Sequence, residues 1–360
     1  IKLISPKVIY QPSLKAASKD SVAGSKSEKK FPAKLNSISL DHLVISDGQF
    51  TMMKKTGDSI GLSLSNLNIT LDDIKSNKEI IQNKIPLKYA NGTMSAENFY
   101  ADISPLLDVR IGSLNLKNKT LDLKEVALKT KYSKEELSKV ITSQRAYLDL
   151  KIPELSIKDF DYGFHGERFF TTISEMSVNN ADLLVFRDRR PPDDMRYKPL
   201  YGYLLKHLPI DLTIAKANVV NSKVAVELLM AKASESGRIF FDDINVTADN
   251  LANTYPPGNK TAIDVTTKFM GKAPVELKWN FDATSETDEF DIAGSVQNFN
   301  PAEMDSFLKS GLKVEVDGEI DQIYFTATGN NTNATGDMLM KYKDFNFTVL
   351  QKDKDETNKF

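Results

Sequence analysis

Three histidines and three Asp-Asp pairs are the first residues of this chain to weigh for proton or metal chemistry. His42 falls inside an apolar/polar alternation, His165 lies between two glycines, and His207 borders a short helical pattern. No two stand at ligand spacing, and metal centres gather His with carboxylates or thiolates, so no metal ligand is assigned. The chain has no cysteine, which leaves it without disulfides, thiolate nucleophiles or Cys-bound metals. The pairs Asp72-Asp73, Asp193-Asp194 and Asp242-Asp243 could work as acid/base dyads. Each is read instead beside a turn, where Asp is favoured because it bonds its own backbone. No serine sits in a Gly-x-Ser-x-Gly elbow, and no Gly-x-x-x-x-Gly-Lys-Ser/Thr loop occurs. Gly329 and Gly336 bracket an Asn/Thr segment between two strands, whereas a phosphate cradle needs a helix N-terminus. Arg187, Arg189, Arg190 and Arg196 cluster, but Asp188, Asp193 and Asp194 balance them. An interface or solvated loop fits that balance better than phosphate binding, and a lipid headgroup contact stays open. No catalytic residue and no cofactor is assigned, and the chain is read as not an enzyme.

The residues that carry most information are apolar. Three alternations follow one another near the end of the chain: Ile323, Phe325, Ala327; then Met338, Met340, Tyr342; then Phe345, Phe347, Val349. Period-2 spacing places each triplet on one face of a strand. The segment from Gly329 to Gly336 makes the first connection, and Lys343-Asp344 is read as a tight turn. The result is a three-stranded meander with one greasy face. Ile323, Phe325, Met338, Met340, Tyr342, Phe345 and Phe347 are the candidate groove residues, chemistry suited to acyl chains because it offers apolar surface and no polar ligand.

The same theme precedes it. Residues 1–10 are consistent with a first strand, and 11–30 are Lys/Ser/Ala-rich with little to bury, the composition of a flexible linker. From residue 35 a strand-like alternation runs to Ile45, Asp47-Gly48 is read as turning the chain, and 49–54 return. Leu62 and Leu64, then Leu67, Ile69 and Leu71, repeat the alternation. Further units start near Ile152 and Ile210, each read as strand, Asp/Asn-centred turn, strand, so the repeat is degenerate. Helical signals are few: Ser133 with Glu136 at capping-box spacing, Asn300 followed by Pro301, and 201–208 closed by Pro209. The prolines and charges of 187–199 suit neither strand nor helix. The expected organisation is an N-terminal strand and linker (1–30), a first β-groove half (31–186), a connection with a short helix (187–209), a second β-half (210–350) and a charged tail (351–360).

The 360 residues are 41% apolar and 27% charged, enough apolar content to bury a core. Lys+Arg 47 against Asp+Glu 49 gives a net charge of -2, so no nucleic-acid partner is expected. No apolar run approaches the ~20 residues of a membrane-spanning helix. The chain starts at Ile1 and is read as a fragment lacking an N-terminal targeting or anchoring segment. Eight Asn-x-Ser/Thr sequons occur, at Asn68, Asn91, Asn118, Asn245, Asn259, Asn330, Asn333 and Asn346. Asn68 and Asn346 fall inside expected strands, which argues against glycosylation as their cause.

The recurring hairpin pattern Ile/Leu-x-Ile-x-Asp/Asn-Gly/Ser-x-Phe/Val resembles the bacterial AsmA-like superfamily. Its second half is the more specific: Lys206-His-Leu-Pro-Ile-Asp-Leu-Thr-Ile, Gly237-Arg-Ile-Phe-Phe-Asp-Asp-Ile, Asn298-Phe-Asn-Pro-Ala-Glu-Met-Asp, Gly318-Glu-Ile-Asp-Gln-Ile-Tyr-Phe and Ala334-Thr-Gly-Asp-Met-Leu-Met-Lys-Tyr-Lys-Asp-Phe follow in an order similar to the C-terminal region of AsmA-like proteins from Bacteroidetes-type bacteria. The likeness covers 35–350. It implies a mainly β fold: an elongated, twisted antiparallel sheet forming a half-pipe groove from degenerate hairpin repeats, with a few short helices. It also implies a periplasmic location, an inner-membrane anchor through an N-terminal helix absent from this chain, and phospholipid or another acyl lipid moving along the groove toward the outer membrane. Further envelope proteins would be partners. Two other readings stay open: an envelope assembly component that carries no lipid, and a secreted β-solenoid or adhesin-like module.

Overall fold

A computed structural model describes residues 1–12, 35–231, 233–350 and 357–359. Most of the expected linker and charged tail lies outside these residues. The chain is mainly β, with 64% strand and 8% helix. In chain order the first elements are β1 (Lys2–Ile4), β2 (Lys7–Tyr10), β3 (Ser37–Met53), β4 (Ile60–Asn77), β5 (Asn91–Asp102), β6 (Leu107–Lys117) and β7 (Thr120–Thr130). Then come α1 (Lys134–Val140), β8 (Ala146–Lys158), β9 (Asp161–His165), β10 (Arg168–Asn179), β11 (Asp182–Asp188), α2 (Tyr201–Lys206) and β12 (Asp211–Leu229). The rest are β13 (Gly237–Ala252), β14 (Thr261–Phe269), β15 (Ala273–Phe281), β16 (Phe290–Phe299), α3 (Asp305–Gly311), β17 (Val314–Gly329), β18 (Ala334–Leu350) and β19 (Thr357–Lys359).

The chain divides into two compact units. The first comprises Ile1–Val126, Ser156–Ile173 and Pro209–Asp211; the second comprises Ala127–Leu155, Ser174–Leu208 and Leu212–Phe360. The 187–209 segment, expected to separate two halves, lies inside the second unit except for Pro209. In the first unit β3 to β6 form an antiparallel ladder, while β1 and β2 pair parallel to β3. In the second unit β8 pairs antiparallel with β11 and β11 parallel with β12, and β12 to β18 continue antiparallel. The pairing is therefore mixed rather than wholly antiparallel. The short β1, β2 and β11 carry no periodicity that distinguishes a parallel neighbour, so the expectation failed there.

Four of the Asp/Asn-centred turns are not turns, whereas in the Ile152 unit Asp159 and Phe160 do separate β8 from β9. Asp47 sits inside the 17-residue β3, Asn221 inside β12, Asp243 inside β13 and Asp344 inside β18, each with φ near +50°. They are left-handed residues at β-bulges, and register shifts occur beside them. Asp and Asn tolerate this conformation better than other side chains, and a bulge inserts one extra residue that bends the strand without ending it. Asp242-Asp243 belongs to such a bulge, and Asp73 is also left-handed inside β4, where the register to β3 runs on without a shift. Lys343-Asp344 likewise continues β18, so the closing region is a two-stranded hairpin rather than a three-stranded meander.

The bulges are stitched by side-chain amides. Asn68 Nδ2 donates to the Asn66 carbonyl at 2.8 Å, and its Oδ1 accepts the Asp47 amide at 3.1 Å. Asn245 repeats this in the second unit, donating to the Asp243 carbonyl at 2.9 Å and accepting the Asn221 amide at 3.1 Å. Asn346 donates to the Asp344 carbonyl at 3.0 Å. The amide stands two residues after a left-handed residue each time, so these three sequon asparagines have a structural role.

Where helices were expected, helical structure forms. Ser133 caps α1 with a full capping box to Glu136, the helix 201–206 precedes Pro209, and Asn300 Oδ1 accepts the Ala302 amide at the start of a 3-10 turn that leads into α3.

Candidate functional site

Antiparallel register lines up side chains into rows on one face of the second unit. One row runs Val219, Val246, Val265, Leu277, Gly294, Phe325, Met338; a second runs Ala217, Ala248, Ile263, Trp279, Ile292, Ala327. Val275, Val296, Ile323 and Met340 form a third. The opposite face carries Thr247, Asp264, Lys278, Thr326 and Asp337 in corresponding pairs. The sheet is thus amphipathic in the way that alternation demands.

Two buried clusters bound the apolar face along β15. At one end Leu205 of α2 packs with Phe281 and Ala283, joined by Trp279, Ile263 and Phe290. At the other, Ala273, Phe299 and Ile320 form a core, and Leu308 of α3 packs beside Val314 and Val316. Ala273 and Phe281 open and close one nine-residue strand, a span of about 27 Å. Between the clusters Val246, Val265, Leu277 and Phe325 are only half-buried. Trp279 Nε1 is buried with no hydrogen-bond partner among the described residues.

The seven candidate groove residues divide. Ile323 pairs with Met340 and Phe325 with Met338 across β17 and β18. Ile323, Met340 and Phe345 pack onto the Ala273–Phe299–Ile320 core. Tyr342 pairs with Ile320 and Phe347 with Val316. The Tyr342 and Phe345 rings lie 5.5 Å apart, because the bulge at Asp344 shifts the parity and keeps both on one side. Met338 and Tyr342 stay 69% and 55% exposed, and Phe347 is exposed as well.

Sequence reasoning missed a second apolar site. In the first unit a cavity of about 1390 Å³ opens among the loop before β5, the β6–β7 turn and the β9–β10 hairpin. Ile85, Leu87, Tyr89, Leu116, Phe160, Tyr162 and Phe164 line it, with Lys84, Lys88, Lys119, Asp161 and Glu167 among its polar residues. Phe160 stacks on Tyr162 at 5.1 Å, and Lys84 pairs with Glu167 at 2.7 Å. Burial, then a hydrogen bond with Tyr89, pushes the Tyr162 phenol up to about 12. The Phe160/Tyr162/Phe164 alternation was visible, but nothing local marks it as facing a cavity rather than a core. A Cβ at Gly92 would come within 2.9 Å of the side-chain ends of Leu71 and Tyr89, which would have to shift.

The polar candidates are spread out. His42 Nδ1 lies 2.8 Å from Asp72, His165 stacks on Phe170 at 4.3 Å, and His207 Nδ1 lies 2.8 Å from the Tyr203 carbonyl. Among the described residues no three His or acidic groups come together as metal ligands. The arginine cluster is tied to its own acids: Arg190 grips Asp188 at 2.6 Å, and both Arg196 and Arg145 reach Asp194. Gln144 Nε2 donates to the Pro191 carbonyl and to Asp193 Oδ1, which fixes the loop further. No helix among the described residues is long and apolar enough to cross a membrane. No protein-family model matches the chain, and no curated protein matches it.

Proposed function

We propose that this chain is an AsmA-like envelope protein that holds acyl chains of phospholipid, or another acyl lipid, against the apolar face of β12 to β18. It would do so in the periplasm, for transfer between the inner and outer membranes. The observation that carries the reading is the half-buried middle of the three apolar rows, bounded by closed clusters at the two ends of β15. Each methylene laid on that face gains ~0.8 kcal/mol when fully buried. The face offers no charged side chain along those rows, so a chain could slide without being fixed at one point. The protein makes no covalent change to its guest in this reading.

Mass spectrometry of lipid retained through purification tests it. Glycerophospholipid in stoichiometric amount is expected; protein free of any acyl lipid would overturn the reading.

A further inference from the structure

We infer that residues 195–204, a loop and the start of α2, dock on the headgroup layer of an anionic phospholipid membrane. The stretch lies inside the second unit. Met195 is 90% exposed, Tyr197 69% and Tyr201 67%, and Tyr203 and Leu204 are exposed as well. No other large apolar side chain among the described residues is as exposed as Met195. A side chain in that state touches almost nothing of its own chain, so it projects rather than lines a groove. In α2 the buried Gly202 and Leu205 stand one turn apart, and the exposed Tyr201 and Leu204 also stand one turn apart. Single exposed apolar residues are normal, but a run of them rimmed by charge marks an interaction surface.

The rim is basic. Six Lys and Arg against three Asp give residues 187–206 a net charge of +3, in a chain whose net charge is -2. Two of the acids are held inward: Asp188 is buried against Arg190, and Asp194, its side chain 13% exposed, accepts from Arg145 and Arg196. Asp193 is exposed and accepts from Gln144. Arg190 and Arg196 keep more than half of their side chains in solvent. Lys198 is exposed and has no ion pair among the described residues. Gln144 pins the base of the loop, its backbone amide donating to the Pro192 carbonyl at 2.8 Å and its side chain to the Pro191 carbonyl at 3.1 Å. Met195 and Tyr197 are therefore held out by a fixed base. Tyrosine among Lys and Arg is the composition of a membrane interface, where amphipathic rings sit at headgroup level and cations meet anionic lipid. A stable protein interface takes about 20–30 residues a side, and this stretch falls short of that. At a bilayer, buried apolar area and attraction to anionic lipid add together, so a few side chains of each kind contribute. The inference does not depend on what the apolar rows of β12 to β18 hold, and lipid retained through purification speaks only to those rows.

Flotation of the full chain with lipid vesicles tests it. The protein should rise with vesicles of phosphatidylglycerol and phosphatidylethanolamine, should stay behind with phosphatidylcholine alone, and should be released by high salt. Lys198→Glu removes a cation and adds an anion, and should weaken binding at least about fivefold. Met195→Ser combined with Tyr197→Ser should weaken it roughly tenfold or more. Leu312→Ser, at an exposed position outside the loop, should leave it unchanged, and circular dichroism checks that each variant folds. Because the chain has no cysteine, Met195→Cys can carry a single polarity-sensitive fluorophore, whose emission should shift to the blue on phosphatidylglycerol vesicles. No flotation with phosphatidylglycerol, equal flotation with phosphatidylcholine, or an unshifted fluorophore would overturn the inference.

Discussion

The Phe325 ring lies directly over Gly294, its cross-strand partner. A Cβ added at 294 would come within 2.5 Å of Phe325 Cζ and 2.9 Å of the Glu276 carbonyl. The gap is therefore filled from one side by a ring and floored by backbone that cannot retreat. Gly294→Ala should lower stability by about 1–3 kcal/mol, the usual cost of overpacking. Combining it with Phe325→Leu should recover part of the loss. Denaturant midpoints measure both, and an unchanged midpoint for Gly294→Ala would show that the ring does not occupy that space.

Asn245 is expected to matter although it is exposed. Asn245→Ala removes one donated and one accepted hydrogen bond at the β12–β13 bulges, and should cost about 1 kcal/mol. Asn245→Asp keeps the acceptor for the Asn221 amide and should cost less. Equal stability of all three proteins would remove the amide stitch from the account.

A third expectation concerns acid. Burial raises the Asp188 carboxyl, but hydrogen bonds from Arg190 and Ser138 outweigh that and hold it at about 2, below the ordinary 3.8. Asp188 is 3% exposed but the Arg190 side chain is 53% exposed, so solvent screens the contact from the arginine side. A depressed carboxylate stabilises the fold above its unfolded value and loses that contribution as pH falls through the folded one. The stability gap between the parent and Asp188→Asn should be about 2 kcal/mol near neutrality and should close between about pH 4 and pH 2. A gap independent of pH in that window would contradict the ion-pair explanation.

Trp279 gives a direct optical probe of the proposed guest. It is the chain's single tryptophan, it lies in an apolar row between Ile263 and Ile292, and its ring meets Tyr201 edge-on at 5.3 Å. Phospholipid brominated on its acyl chains should quench Trp279 emission, while the unbrominated lipid should not. Met338→Glu places a charge on an exposed position of the same face. It should weaken the quenching and leave the melting temperature unchanged. Emission indifferent to brominated lipid at saturating concentration would argue against acyl binding there.

Much of this could be read from residue order, and the failures have a common cause. Leu62 and Leu64 share one parity and Leu67, Ile69 and Leu71 the other; Met340 and Tyr342 change parity in the same way before Phe345 and Phe347. Each break announces an inserted residue. A two-residue turn and a bulge both place Asp or Asn at positive φ, so local sequence could not separate them, and the continuous strands decided for the bulge. The helix caps at Ser133 and Asn300 were legible because their hydrogen bonds lie within four residues. The cavity was not, since Tyr89, Leu116 and Tyr162 come together from three distant segments. Parallel pairing of β11 with β12 was equally hidden, because short apolar strands read alike in either direction.

The left-handed residues have a consequence for how such strands find their partners. A strand of 17 residues with a simple two-step apolar rhythm could slide by two positions and still bury its greasy side. A single Asp or Asn fixed in an unusual backbone state, joined by an amide to the next strand, removes that freedom. Asp47 with Asn68, and Asn221 with Asn245, act like notches on a ruler. Only one alignment of the two edges lets both notches meet.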